Sequence, residues 1–220
     1  MKLKTEKVAK DFIRETKFSN VFEAVSETDF VLDEGTLAEI EGRSGSGKST
    51  FLNLACGLLK PSRGSVIVGE KYLYSLDDDS LSKFRNENFG IIPQLSAALP
   101  SLTVSENILL PCTIYNENNL PLEYAEELMQ KLDIASLENA YPEELSGGEL
   151  RRMAIARALT QDAAILLADE PTGDLDDENT ARVFGLLREE AARGAASSRR
   201  KSPGRIRRRD LIGFPPRKRP

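Results

Sequence analysis

The feature that most constrains this chain is a glycine-rich segment at residues 42–50, which reads GRSGSGKST. Its first eight residues fit the pattern G-x-x-x-x-G-K-S/T, in which glycines let backbone N–H groups approach a phosphate closely. Apolar spacing predicts a strand over residues 37–40 that leads into the segment, and a helix over residues 49–59 that follows it. A loop of this kind at a helix N-terminus binds nucleotide phosphates. The predicted nucleotide-binding residues are Gly42, Ser44, Gly45, Ser46, Gly47, Lys48, Ser49 and Thr50.

Side chains in two separate segments indicate that the chain binds Mg²⁺ and hydrolyses a nucleotide phosphate. Lys48 places a cation at the outer phosphates, and the Ser49 hydroxyl is a candidate Mg²⁺ ligand. Residues 163–167 form a continuous apolar run, which is typical of a strand buried on both faces of a parallel sheet. Asp169 and Glu170 follow this strand. We predict that Asp169 holds Mg²⁺ and that Glu170 orients and deprotonates the attacking water.

A second glycine turn precedes the acidic strand. Residues 145–149 read LSGGE, and residues 150–159 continue as LRRMAIARAL with the spacing of a helix. Exposed glycine N–H groups, a helix N-terminus and the Ser146 hydroxyl form a further set of donors for a phosphate. The phosphate loop and this turn, in this order, resemble the ATP-binding subunit of an ABC transporter.

The resemblance covers about residues 2–193 and implies the fold class. That class is α/β, a P-loop NTPase of ABC type, with a mostly parallel core sheet, an N-terminal antiparallel β subdomain and an inserted helical subdomain. It implies an ATP-binding domain over residues 1–194, with the helical subdomain at about 95–160. Residues 65–145 look most like the lipoprotein-release and macrolide- or peptide-efflux branch. The segments that carry this likeness read YSL at 74–76, FR at 84–85 and LTVSENI at 102–108.

The resemblance also implies roles for residues outside the phosphate loop. Gln94 matches the glutamine that touches Mg²⁺ and senses the membrane partner, although Pro93 stands where an aromatic residue is expected. Residues 173–176 match a loop that reaches across a dimer. Phe12 matches the aromatic that stacks on adenine, and Phe18 and Phe22 compete for that role. The residues implied to contact ATP held by the other subunit are Ser146, Gly147, Gly148, Glu149 and Asp176.

The implied function is an ATP-binding and hydrolysing subunit that powers a membrane transporter for export or for lipoprotein or peptide release. Its implied cofactors are ATP and Mg²⁺, and its partners are a separate transmembrane permease and a second ATP-binding subunit, in a homodimer or pseudo-dimer. No apolar run approaches the roughly 20 residues that cross a bilayer. The two cysteines predict no disulfide framework. We therefore expect a cytoplasmic protein, peripheral on the inner face of the cell membrane.

The C-terminal part departs from the family pattern. Residues 193–220 carry eleven Lys and Arg and one acid, whereas the rest of the chain carries 19 bases and 34 acids. The family continues into a buried strand followed by a histidine that contacts the γ-phosphate. No run of four apolar or β-branched residues follows residue 195, and the chain contains no histidine. Residues 195–220 are therefore predicted to be a basic, disordered tail.

Three interpretations of this departure stay open. A reading-frame change near Gly194 would give a foreign tail, an impaired subunit would bind ATP without turning it over well, and a functional basic tail would bind acidic lipid or nucleic acid. A nucleic-acid- or ribosome-associated ATPase and a non-catalytic regulatory subunit are the alternative functions. Loss of one transition-state contact typically costs 10²–10³ in rate. We expect weak ATP binding and slow hydrolysis.

Overall fold

The computed structural model describes residues 1–13, 21–33, 36, 39–41, 45–95, 97–115, 120–173, 175–199 and 211–213. The chain divides into two compact units, residues 1–82 with 191–220, and residues 83–190. No helix in these ranges combines the length and the apolar character needed to cross a membrane.

Strands predominate in the first part of the described chain, and three consecutive helices lie between β6 and β7. The strands are β1 Leu3–Ile13, β2 Val21–Leu32, β3 Glu39–Glu41, β4 Arg63–Val68, β5 Lys71–Tyr72, β6 Phe89–Ile92, β7 Ile165–Ala168 and β8 Leu211–Gly213. The helices are α1 Lys48–Ala55, α2 Asp78–Asn88, α3 Val104–Thr113, α4 Leu122–Lys131, α5 Gly147–Thr160 and α6 Asp177–Arg199.

The first unit contains an antiparallel sheet in the order β2-β1-β4-β5. Its alternating residues bury one face, with Leu3 opposite Leu32 on one side and opposite Val68 on the other. The alternation shifts between Thr5 and Val8, where Lys7 adopts a φ of 45°. This sheet confirms the expected N-terminal antiparallel subdomain.

The helix after the phosphate loop ends earlier than predicted. Apolar spacing predicts a helix as far as residue 59, but α1 ends at Ala55 because Gly57 adopts a left-handed φ of 80°. The N–H of Leu58 donates to the carbonyl of Asn53 at 2.9 Å, and the N–H of Gly57 donates to Leu54 at 3.4 Å. These two bonds are the Schellman pattern that closes a helix.

In the second unit, β6 and β7 pair in parallel, and α5 packs against β6. Phe89 lies opposite Ile165 and Ile92 opposite Ala168, as expected for short apolar strands in a parallel sheet. Helices α3, α4 and α5 contribute most of the unit's core, around the fully buried side chains of Ile108, Leu128 and Met153. The helices lie within the range predicted for a helical subdomain, and the division of the chain into domains stays a prediction.

The C-terminal residues differ from the expectation of a patternless tail. Helix α6 continues to Arg199, beyond the Gly194 at which the sequence pattern ends it. One interior glycine costs a helix only about 1 kcal/mol relative to alanine, and the alanines on both sides favour helix. Leu211–Gly213, with only two apolar residues before its glycine, pairs in parallel with β3. Residues 200–210 and 214–220 lie outside the described residues.

Substitution of Gly90 tests the packing between β6 and α5. A Cβ atom at Gly90 would lie 2.5 Å from the carbonyl oxygen of Ala158, so Gly90→Ala should lower the free energy of unfolding by about 1–3 kcal/mol. The control is Gly185→Ala in α6, where a Cβ would meet no atom within 4 Å. That variant should raise the free energy of unfolding by about 0.5–1 kcal/mol in urea titrations. Equal effects of the two substitutions would contradict this packing.

Candidate active site

The parallel pair β6 and β7 brings two of the predicted catalytic side chains together. The N–H of Asp169 donates to the carbonyl of Ile92 at 2.9 Å, which extends the ladder one residue beyond β7. The segments that follow β6 and β7 then leave the sheet at the edge formed by the carboxyl ends of the two strands. The Nε2 of Gln94 donates to Oε2 of Glu170 at 3.1 Å, and both side chains are exposed. Asp169, half-buried, lies directly before Glu170.

Glu170 occupies a strained backbone conformation. Its φ of 48° lies in the left-handed region, which costs a non-glycine residue about 1–2 kcal/mol. The carbonyl of Glu170 accepts a hydrogen bond from the N–H of Gly173 at 3.2 Å, which closes a tight turn. Strain of this size persists only where surrounding contacts enforce it. The turn therefore fixes the direction in which the Cα–Cβ bond of Glu170 leaves the backbone.

Those contacts come mainly from Arg151, a functional residue that sequence reasoning missed. Its side chain is 1% exposed and donates to the main-chain carbonyls of residues on both sides of the site. A signal was present in the sequence. Arg151 lies on the same face of α5 as the apolar residues Ala154, Ile155 and Ala158. A charged residue therefore occupies a position that the 3.6-residue helix period assigns to the core.

The start of α5 is a capping box between Ser146 and Glu149. The Ser146 hydroxyl donates to Oε2 of Glu149 at 2.6 Å and accepts from the Glu149 N–H at 3.4 Å. The Ser146 N–H also donates to Oε2 of Glu149, at 2.7 Å. These bonds, with the hydroxyl contributing most, hold the pKa of Glu149 below its ordinary value. The hydroxyl predicted to bind a phosphate thus has a partner within the chain, whereas Gly147 has open space at its Cβ position.

Asp176 serves as the N-cap of α6. Its Oδ1 accepts from the N–H of Asn179 at 2.8 Å, and its Oδ2 accepts from Nδ2 of Asn179 at 3.1 Å. These bonds lower the pKa of Asp176. The carboxylate predicted to reach across a dimer is therefore oriented by its own helix, and Asp174 lies outside the described residues.

The phosphate loop belongs to the first unit and is described by itself. Gly47 has a φ of 98°, and a Cβ atom there would lie 2.3 Å from the carbonyl oxygen of Ala24. Helix α1 begins at Lys48 with no side-chain cap on its N-terminus. Ser49 is exposed and Thr50 half-buried. Gly42 and Ser44 lie outside the described residues.

This loop fits a bound phosphate. Ser46 Oγ is buried and finds no hydrogen-bond partner in the described part of the chain, and an acceptor placed before α1 would supply one. The first turn of α1 contains no acidic residue that would repel an anion. Gly47 has a φ of 98°, a left-handed conformation of the kind in which successive backbone N–H groups form an anion-binding nest.

Phe12 lies near the end of β1, where it is 38% exposed. It lies opposite Phe22 on β2, and the Lys10 ammonium is 5.3 Å from its ring centroid. A cation over one ring face competes with a stacked base for that face. Phe18 lies outside the described residues.

Comparison with known proteins decides the family. A sequence model described as "ABC transporter" matches residues 25–173, more than half of the chain. The chain belongs to the ABC transporter family. The lipoprotein-releasing system ATP-binding protein LolD of Treponema denticola is 37% identical over 188 residues, covering 82% of this chain and 83% of that protein. LolD of Saccharophagus degradans is 42% identical over 162 residues, covering 73% of this chain and 71% of that protein.

A solved structure supports the same ABC fold. The dimeric post-hydrolysis state of the ATP-binding cassette MJ0796 bound to ADP and Pi aligns with a TM-score of 0.81 at 32% identity. The alignment covers 87% of this chain and 84% of that chain. The predicted fold class and the resemblance to ATP-binding subunits of the lipoprotein-release branch are confirmed. The individual site residues stay predictions.

The capping box of the ABC signature turn should make stability depend on pH. Because the folded-state pKa of Glu149 is lowered, its contribution is present above its ordinary pKa of 4.5 and is lost as pH falls through the folded-state value. Glu149→Gln keeps an acceptor oxygen but removes this titration. Urea unfolding should show that the advantage of the wild type over Glu149→Gln is larger at about pH 6 than at about pH 3.5.

The control for this comparison is the same substitution in a Ser146→Ala background. The hydroxyl that lowers the pKa most is then absent, so the pH dependence of the difference should shrink. An unchanged pH dependence in that background would contradict the assignment.

Proposed function

We propose that this chain is the ATP-binding and ATP-hydrolysing subunit of a transporter that releases lipoproteins from a membrane. Relatives named as ATP-binding proteins of the lipoprotein-releasing system, at 37–42% identity, support this substrate class. The single observation that carries the proposal is the hydrogen bond between Gln94 and Glu170 at the carboxyl edge of β6 and β7. Ligands of open parallel sheets bind at this edge.

The phosphate loop provides the ATP phosphates with donors of two kinds. Backbone N–H groups at the start of α1 and the Ser46 hydroxyl donate to phosphate oxygens. The Lys48 ammonium adds a positive charge for the outer phosphates. The Ser46 hydroxyl, which has no partner in the described residues, supports this role, since a buried hydroxyl without an acceptor is costly. Phe12 presents an exposed ring for the adenine.

The oxygen atoms of three side chains have the chemistry that Mg²⁺ prefers, one in the first unit and two in the second. Ser49, Asp169 and Gln94 are the residues that would hold it, in keeping with the preference of Mg²⁺ for few protein oxygens, water and phosphate. When bound, the ion neutralises charge that develops on the phosphate oxygens during transfer.

Glu170 is the general base. Its carboxylate accepts the proton of the water that attacks the γ-phosphorus, and the amide of Gln94 fixes the orientation of that carboxylate. The proposed catalytic residues are Glu170, Gln94 and Lys48, and the chain contains no histidine to assist them.

Two kinds of partner complete the proposed machine. In a second copy of this chain, Ser146, Gly147, Gly148 and Glu149 would face the ATP held by the first copy. A transmembrane permease would contact the segment after Gln94, where the apolar residue Leu95 is 83% exposed. We propose that the subunit works at the cytoplasmic face of the membrane.

Glu170→Gln separates binding from hydrolysis. The amide keeps the size of the side chain but cannot accept the proton, so the steady-state rate should fall at least 100-fold while the Kd for ATP stays within about threefold. Phosphate release and titration with a fluorescent ATP analogue measure the two quantities. With MgATP the variant should also run as a dimer in gel filtration with light scattering.

The control is Glu143→Gln, an exposed acid in the turn before α5. It should hydrolyse ATP at the wild-type rate. Hydrolysis by Glu170→Gln at that same rate would refute the assignment of the base.

A further inference from the structure

We infer that Arg151 is a positioning residue for ATP hydrolysis, which holds the glutamine loop and the acidic turn in register with the start of α5. The inference rests on the proposed function, because it assigns Arg151 to the same Gln94 and Glu170 pair. Arg151 does not belong to the predicted phosphate, magnesium or water contacts. It acts through the backbone of the residues that make them.

The guanidinium divides its donors between two loops. Nη1 donates to the carbonyls of Pro93 and of Gln94, the latter at 3.0 Å. Nη2 donates to the carbonyls of Asp169, at 2.8 Å, and of Glu170. Nε donates to the carbonyl of Pro171 at 3.0 Å. One planar group therefore fixes the separation of the two loops that carry the catalytic pair.

Because Arg151 is buried, the loss of its hydrogen bonds would be costly. The side chain is 1% exposed, so each carbonyl that lost its donor would have few water molecules to replace it. A lysine carries its three donors on a single nitrogen atom, so it cannot reach all the carbonyl oxygens that the three nitrogens of the guanidinium contact. The fork also holds both sides of Glu170, since it binds the carbonyls of Asp169, Glu170 and Pro171. Those bonds stabilise the left-handed backbone at that residue.

The position of Arg151 in α5 links these loops to the signature turn. Helix α5 begins at Gly147, and Arg151 lies one helical turn further on. The helix is a rigid element, so a displacement of its N-terminus moves the guanidinium and both loops with it. Nucleotide engaged by the signature turn can thus alter the geometry of Gln94 and Glu170 through one side chain.

Substitution of Arg151 tests this role by separating rate from binding. Arg151→Met keeps a long apolar stem but no donors, and it should lower kcat at least 10-fold with KM for ATP within about threefold. Arg151→Lys should recover only part of the loss, and it carries the test if Arg151→Met does not fold. Hydrogen–deuterium exchange of the full chain should rise in residues 92–95 and 168–172 of both variants.

Arg157→Met is the matched control on the same helix. Arg157 is half-buried and donates to the carbonyl of Ala97 at 2.6 Å, outside the acidic turn. Its loss should destabilise the chain without raising exchange in residues 168–172. Equal exchange in that segment for Arg151→Met and the wild type, or a kcat within twofold of wild type, would overturn the inference.

The two proposals fail in different ways. A wild-type chain that hydrolyses no MgATP refutes the proposed function, and the exchange of residues 92–95 and 168–172 then decides the role of Arg151 by itself. An active wild type with an equally active Arg151→Met refutes the positioning role and leaves the proposed function intact.

Discussion

The parallel pairing of β6 with β7 is the constraint on which the candidate site depends. Its register sets Ile92 beside Ala168, and the segments that follow the two strands leave the sheet at the same edge. Gln94 and Glu170, each two residues beyond that pair, are then within hydrogen-bond distance. A slip of one residue would turn one of these side chains to the opposite face. Gly90, which lets α5 approach β6 closely, protects this register.

The same polar groups that organise the helix ends are those predicted to meet a nucleotide across a dimer. Ser146 and Glu149 are hydrogen-bonded to each other at the start of α5, and Asp176 accepts hydrogen bonds from Asn179 at the start of α6. A phosphate that binds Ser146 must therefore exchange with the Glu149 carboxylate. Capping keeps these side chains ordered before the ligand arrives, which lowers the entropy lost on binding.

Short, strongly patterned elements could be predicted from the sequence, and their neighbours in space could not. The apolar run at residues 163–167 predicts a buried strand, and β7 Ile165–Ala168 overlaps it because such a run of strand length leaves few alternatives. The early end of α1 depends on a left-handed glycine at residue 57, and the length of α6 on alanines that outweigh Gly194. The core-facing position of Arg151 could be read from the helix period, but its partners could not, because they are backbone carbonyls and carry no residue-specific signal.

The central claim is that Gln94 and Glu170 act as one catalytic unit, and a double-mutant cycle on single-turnover ATP hydrolysis tests it most directly. Gln94→Ala, Glu170→Ala and the double variant would be compared with the wild type under saturating MgATP. If Gln94 acts mainly by orienting Glu170, replacing Gln94 should slow the reaction much less in the Glu170→Ala background than in the wild type, and any loss that remains in that background reflects its proposed contact with Mg²⁺. Multiplicative losses in the double variant would show that the two side chains act independently and would contradict the account.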